Sequence, residues 1–189
     1  AAAERDVAAA VRTGARELEQ LLSTLGHPGR LTQPPAHVPT GSLMVFGVAG
    51  SLFPLTLEAF LDPALADWQQ VIVGIHELSH VHGIAREDDA VLAAAIAGLR
   101  SSDPFARYAA ALDSFSRLEL PRAELQELLA TLPAAVSADL TAAADRSVRW
   151  RSETLAGVQS AMFGLWLRLQ GSEGGLADYS LGASKLPLA

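Results

Sequence analysis

Apolar positions recur at helical spacing over most of this chain. Val7, Val11, Ala15, Leu18, Leu21 and Leu22 mark a first helix from Ala1 to Leu25, which Gly26 ends. The stretch Gly26 to Gly41 is punctuated by proline and glycine and reads as a loop. Ser42 to Leu57 is the β region: "LMVFGV" and "SLFPLTL" are short apolar runs around Ala49-Gly50-Ser51, which predicts a hairpin. Pro54 fits there only on an edge strand or at a bulge.

Asp62 and Pro63 then have the chemistry of an N-cap and a first helical position. In that helix Trp68, Val71, Ile72, Ile75 and Leu78 share one side, and His76, Glu77 and His80 fall on the other. Gly83 is a natural stop. A further helix is expected from about Arg86 to Leu99, and "SSDP" caps another through about Leu118. "LPRAELQELLATL" and the stretch Ala134 to Leu169 add more helix, broken at Pro133, before a Gly- and Ser-rich tail. With no repeat and no dividing linker, residues 1–189 read as a single, mainly α domain of α+β type with a small hairpin.

Composition narrows the function classes. A net charge of -7 argues against a nucleic-acid groove, which needs a basic stripe. The absence of cysteine leaves His, Asp and Glu as the available metal ligands. No run reaches the roughly 18 apolar residues of a spanning helix. The chain opens on Ala1 without a signal peptide, so it reads as processed or cut from something longer.

The chemistry concentrates in "HELSHVHGIAREDD", His76 to Asp89. His76 and His80 are four apart, so both imidazoles can reach one ion. Glu77 can hydrogen-bond a metal-bound water and act as its general base, as in a zinc hydrolase. Zinc needs a third ligand. One protease class continues H-x-x-G-x-x-H, but here Arg86 occupies the last position and cannot ligate. His82 points away from His80 and is read as capping the helix or facing solvent. Glu87, Asp88 and Asp89 remain. If Gly83 turns the chain back, Glu87 on the first turn of the next helix can meet the ion. "EDDA" also resembles the E-x-x-A segment of several zinc-peptidase families, in which the Glu is the third ligand. Asp88 and Asp89 are explained by a helix N-terminus, and one could orient a histidine.

The sequence as a whole resembles a bacterial family of membrane-anchored, zinc-peptidase-like proteins. "HELSHVHGIAREDDAV" follows that family's pattern, with Asp89 in place of Glu and Val91 in place of Asn. "GVAGSLFPLTLEAFLDP", "SSDPFARYAAAL", "LLATLPAAVSADL" and "LRLQGSEGGLADYS" resemble further blocks in the same order. The resemblance implies a gluzincin-like zinc site and N-terminal membrane helices absent from this chain. It also implies a domain outside the cytoplasm of a bacterial cell, and it supplies no substrate.

The expected function is therefore hydrolysis of peptide bonds, with Zn2+ on His76, His80 and Glu87 and with Glu77 as base. The rivals are a non-catalytic zinc or degenerate binding module at the membrane surface, and a helical interaction domain without metal. Tyr108 and Tyr179 are candidates for stabilising an oxyanion or touching substrate. The strand region before the zinc helix is a candidate edge for an extended peptide, and Glu58 a candidate contact to it. Trp68, Trp150 and Trp166 are expected in the core, and His27 and His37 in idle loops.

Overall fold

The computed structural model describes residues 5–27, 33–53 and 55–169. Helix α1 is Val7–Thr24, capped by Asp6, whose side chain accepts from Ala9 N. Strand β1 is Ala36–His37, β2 is Gly50–Phe53 and β3 is Glu58–Leu61. Helices α2, Asp67–Val81, and α3, Glu87–Arg100, follow. Then come α4, Pro104–Ser116, α5, Arg122–Thr131, α6, Ala134–Trp150, and α7, Glu153–Leu169. The fold is mainly helical with one small sheet, as the apolar periodicity predicts.

The core is built from α1 to α4. Val11, Leu18 and Leu22 meet Trp68, Val71, Ile75 and Leu78, with Ala93, Ala94, Ala97, Ala106, Ala109 and Ala110 filling the remainder. Alanine lets the helices come close, and glycine closer still. A Cβ on Gly14 would stand 2.3 Å from Ile75 Cδ1, and one on Gly98 2.6 Å from Ala110 Cβ. The side of α2 read as apolar is buried throughout. Asp103 caps α4 through Phe105 N and Ala106 N, as "SSDP" predicts.

The sheet runs in the order β1-β3-β2, with β1 parallel and β2 antiparallel to β3. Two expectations are corrected here. The hairpin lies further along than "LMVFGV" and "SLFPLTL" suggested: Met44–Phe46 is a 3-10 turn, and the strands that pair are Gly50–Phe53 and Glu58–Leu61. The cause is Asp62, which is fully buried and does not cap a helix. Its carboxylate accepts from the amides of Gly41 (2.7 Å), Leu43 (2.9 Å), Met44 (3.0 Å) and Ala64 (2.9 Å). These bonds pull residues 41–44 into a turn and hold the Asp62 carboxyl below its ordinary pKa, against the opposing effect of burial. Helix α2 consequently begins at Asp67.

Smaller differences follow from the same packing. His37, read as a loop residue, lies in β1 and pairs with Leu61. The stretch Ala134 to Leu169 is two helices, interrupted where Ser152 N donates to Val45 O at 3.0 Å. Trp68 is in the core, whereas Trp150 is partly exposed and lies against Gly41. The Trp166 side chain and the tail lie outside the described residues. No helix among the described residues is long and apolar enough to cross a membrane.

Candidate metal centre

Helix α2 carries His76 and His80 one turn apart, their rings edge to face with centroids 4.8 Å apart. The helix stops at His82. Gly83 follows with φ 94°, a left-handed conformation that glycine adopts without a Cβ penalty. The chain reverses there, and α3 begins at Glu87. Glu87 is thereby brought back to the histidines, as the sequence predicts.

Three groups converge. His80 Nε2 lies 3.1 Å from His76 Nε2, Glu87 Oε2 is 3.1 Å from His76 Nε2, and Glu87 Oε1 is 3.3 Å from His80 Nε2. His76, His80 and Glu87 form a group that could hold a metal ion. The opposite nitrogen of His80 fixes its tautomer. Nδ1 stands 2.6 Å from the Ile84 carbonyl, which can only accept, so Nδ1 carries the hydrogen. Nε2 of the neutral ring therefore offers its lone pair to the group, the usual way an outer partner orients a metal-binding histidine. Ile84 is a contributor that the sequence does not announce, because it acts through its backbone.

The group draws positive charge. Burial works to raise the Glu87 pKa, but hydrogen bonds and charge from His76 and His80 overcome it and hold the carboxyl far below its ordinary range. Burial likewise works to lower the His80 pKa, and the hydrogen bonds to Glu87 and Ile84 outweigh it, so the pKa rises. The two histidine side chains are largely covered, while that of Glu87 is 43 % exposed, so the group is open to solvent on the Glu87 side.

Glu77 is buried beside the group, and burial pushes its carboxyl up in pKa. What covers it is β2. A Cβ on Gly50 would stand 2.8 Å from Glu77 Cγ and Oε1, so only glycine lets the strand lie this close. The sequence reading placed Gly50 in a turn and missed this contact, although a glycine inside a strand is a signal of close backbone approach.

The other candidates have separate partners. Asp88 pairs with Arg86 at 2.7 Å, and Arg86 Nε also lies 3.5 Å from Asp89. The Tyr108 hydroxyl donates to Asp139 at 2.6 Å, beneath the Arg5 guanidinium; burial and this bond push its pKa up to about 12. Glu58 accepts from Thr56 Oγ1. His82 ends α2 as expected, but its side chain is buried, not facing solvent. The last turn of α2 packs inward there, so the side away from the metal group is core. Tyr179 lies outside the described residues.

No curated protein and no solved structure matches the chain. Residues 2–183 match a family described as protein of unknown function (DUF3810). With all but the ends of the sequence inside that match, the chain belongs to the DUF3810 family.

Proposed function

We propose that this chain is a zinc-dependent peptidase with His76, His80 and Glu87 as ligands and Glu77 as general base. The observation that carries the reading is the spacing of the donor atoms. Ligand atoms on a tetrahedral zinc, with bonds of about 2.0–2.1 Å, stand about 3.3 Å from one another. Here the two Nε2 atoms are 3.1 Å apart, Glu87 reaches His76 with Oε2 at 3.1 Å and His80 with Oε1 at 3.3 Å, and one ligand atom from each residue lies within 4.8 Å of the others. Three protein ligands leave one tetrahedral position, and the open Glu87 side gives access to it.

When bound, zinc would bring the pKa of a water to about 7 and polarise a carbonyl. The protein's share is proton transfer and placement. Glu77 takes the proton of the attacking water as its oxygen adds to the carbonyl carbon, and delivers it to the nitrogen as the C–N bond breaks. Burial raises its pKa, the direction that favours a carboxylate that must accept a proton and return it.

The sheet supplies a place for the peptide. Steps of about 100° per residue carry the surface of α2 from Gly74, past Glu77 and Val73, to His80 and then His76. Strand β3 lies over Gly74 through Leu61, and β2 lies over Glu77 and Val73 through Gly50. By that angular order, the next position outward, beyond the edge of β2 that no described strand pairs, would fall over the histidines. A peptide added to that edge would cross the metal group.

Metal analysis of protein purified without chelators, paired with cleavage of a peptide library, tests the proposal. About one zinc per chain is expected, with cleavage that falls at least about a hundredfold in Glu77→Gln while the zinc is retained. Absence of metal, or cleavage that persists in Glu77→Gln, overturns the mechanism. Zinc without cleavage by the unmodified chain favours the binding-module reading.

A further inference from the structure

We propose that the tip of the β2–β3 hairpin selects the substrate: peptides carrying a bulky apolar side chain two to four residues from the bond that is cleaved. The inference rests on the peptidase reading and names the substrate class of that same site.

The tip is unusual in its chemistry. Turns ordinarily carry polar residues and glycine. Here Phe53 is 49 % exposed, Leu55 86 % and Leu57 41 %. Leu57 has φ 57°, and it is the one non-glycine residue with positive φ among the described residues. For a leucine this left-handed conformation is strained. A bond from Leu57 N to Phe53 O at 2.8 Å holds it. The turn thus keeps a strained backbone and three outward apolar side chains where a polar turn would have neither cost.

Its position connects it to the metal group. Gly50 lies against Glu77, and Phe53 is the far end of the same strand. At about 3.3 Å per residue, the strand carries Phe53 about 10 Å from Gly50. A peptide laid on the free edge of β2 advances at the same rise. The substrate residue beside Phe53 is therefore about three positions from the one beside Gly50. Side chains alternate: Gly50 and Leu52 are turned inward, whereas Ser51 and Phe53 are exposed. The substrate side chain that shares the Phe53 face meets Phe53 and Leu55.

Charge favours a peptide over a lipid surface as the occupant. Between Ala49 and Leu61 the sole charged residue is Glu58, which lies opposite Phe53 in the sheet. A segment that docks on anionic headgroups carries lysine and arginine beside its apolar residues, and none is present here.

The test compares the zinc-loaded chain with a Phe53→Ser, Leu55→Ser double variant on a randomised peptide library, sequencing the products. Both substituted positions are exposed, and an unchanged melting temperature serves as the check on folding. The unmodified chain should favour Leu, Phe, Met or Ile over Ser by about tenfold at one position two to four residues from the cleaved bond. The double variant should cleave with that preference lost. Cleavage without such a preference, or a preference unchanged in the variant, overturns the inference and leaves the peptidase reading standing. Absence of zinc-dependent cleavage of any peptide overturns the peptidase reading, and this inference with it. Co-sedimentation with phosphatidylcholine vesicles that is lost in the variant, with an unchanged cleavage profile, would assign the tip to a bilayer and overturn the proposal.

Discussion

Gly50→Ala is the smallest change that should separate metal binding from catalysis. The added Cβ would stand 2.8 Å from Glu77 Cγ and Oε1 and from Val73 Cγ1. Ordinary carbon contacts lie at about 3.5–4.0 Å, so β2 or the Glu77 side chain must yield by roughly 0.7 Å or more. Overpacking of this kind costs about 1–3 kcal/mol, which lowers the melting temperature by roughly 3–10 °C in a chain of this size. Misplacing a reacting group by about 1 Å costs about a hundredfold in rate. The three atoms nearest the Cβ belong to Glu77 and Val73 and not to a proposed metal ligand, so zinc affinity should stay within about threefold. The assays are thermal melting, zinc competition against a chelator, and turnover of a peptide chosen from the library. Gly14→Ala is the control: its Cβ would meet Ile75 Cδ1 at 2.3 Å, and it should lose stability without a matching loss of turnover. Unchanged turnover in Gly50→Ala, or zinc affinity falling in step with turnover, would refute the argument.

Two further outcomes are expected. Glu87→Ala should weaken zinc binding by at least about a hundredfold, because it removes one of the three proposed ligands. Asp88→Ala and His82→Ala should change it by less than about tenfold, since Asp88 is engaged with Arg86 and His82 ends α2 in the core; equal losses in all three would sink the ligand assignment. Asp139 ties Arg5 to Tyr108, and the Arg5 hydrogen bond, against burial and aided by Tyr108, holds its carboxyl below the ordinary 3.8. A carboxyl with a depressed folded pKa stabilises the fold above about pH 4 and loses that contribution as the pH falls through the folded value. Asp139→Asn should therefore lower stability by about 1–2 kcal/mol at pH 7, at the lower end because water reaches Arg5, and should flatten the acid limb of melting temperature against pH. An acid limb identical to that of the unmodified chain would disprove the coupling.

The helices were legible because their determinants are local. The apolar stripe of α2, the stop at Gly83 and the capping Asp103 all act within a turn or two of their own position. So was the convergence of His76, His80 and Glu87, which needs only two helices and one reversal. The hairpin was not. "DP" has the same local chemistry whether Asp caps a helix or closes a distant loop, and only the arrival of the Gly41, Leu43 and Met44 amides decides between them. Gly50 was misplaced for the same reason, because its neighbour Glu77 belongs to another element. The burial of His82 depends on packing around the last turn of α2, which no spacing rule encodes.

His76 to Glu87 is twelve residues of continuous chain. Closing so short a segment costs little entropy even before the rest of the chain has folded. The unfolded chain should thus keep some affinity for the ion, and metal should stabilise the fold by less than its affinity for the native state implies. Covering Glu77 is a different matter, since it requires the sheet to dock on α2 and bring Gly50 into place. Capture of an ion and burial of the Glu77 carboxyl can therefore arise at different stages of folding. Zinc affinity alone would then be a poor measure of how much of the protein is competent to react.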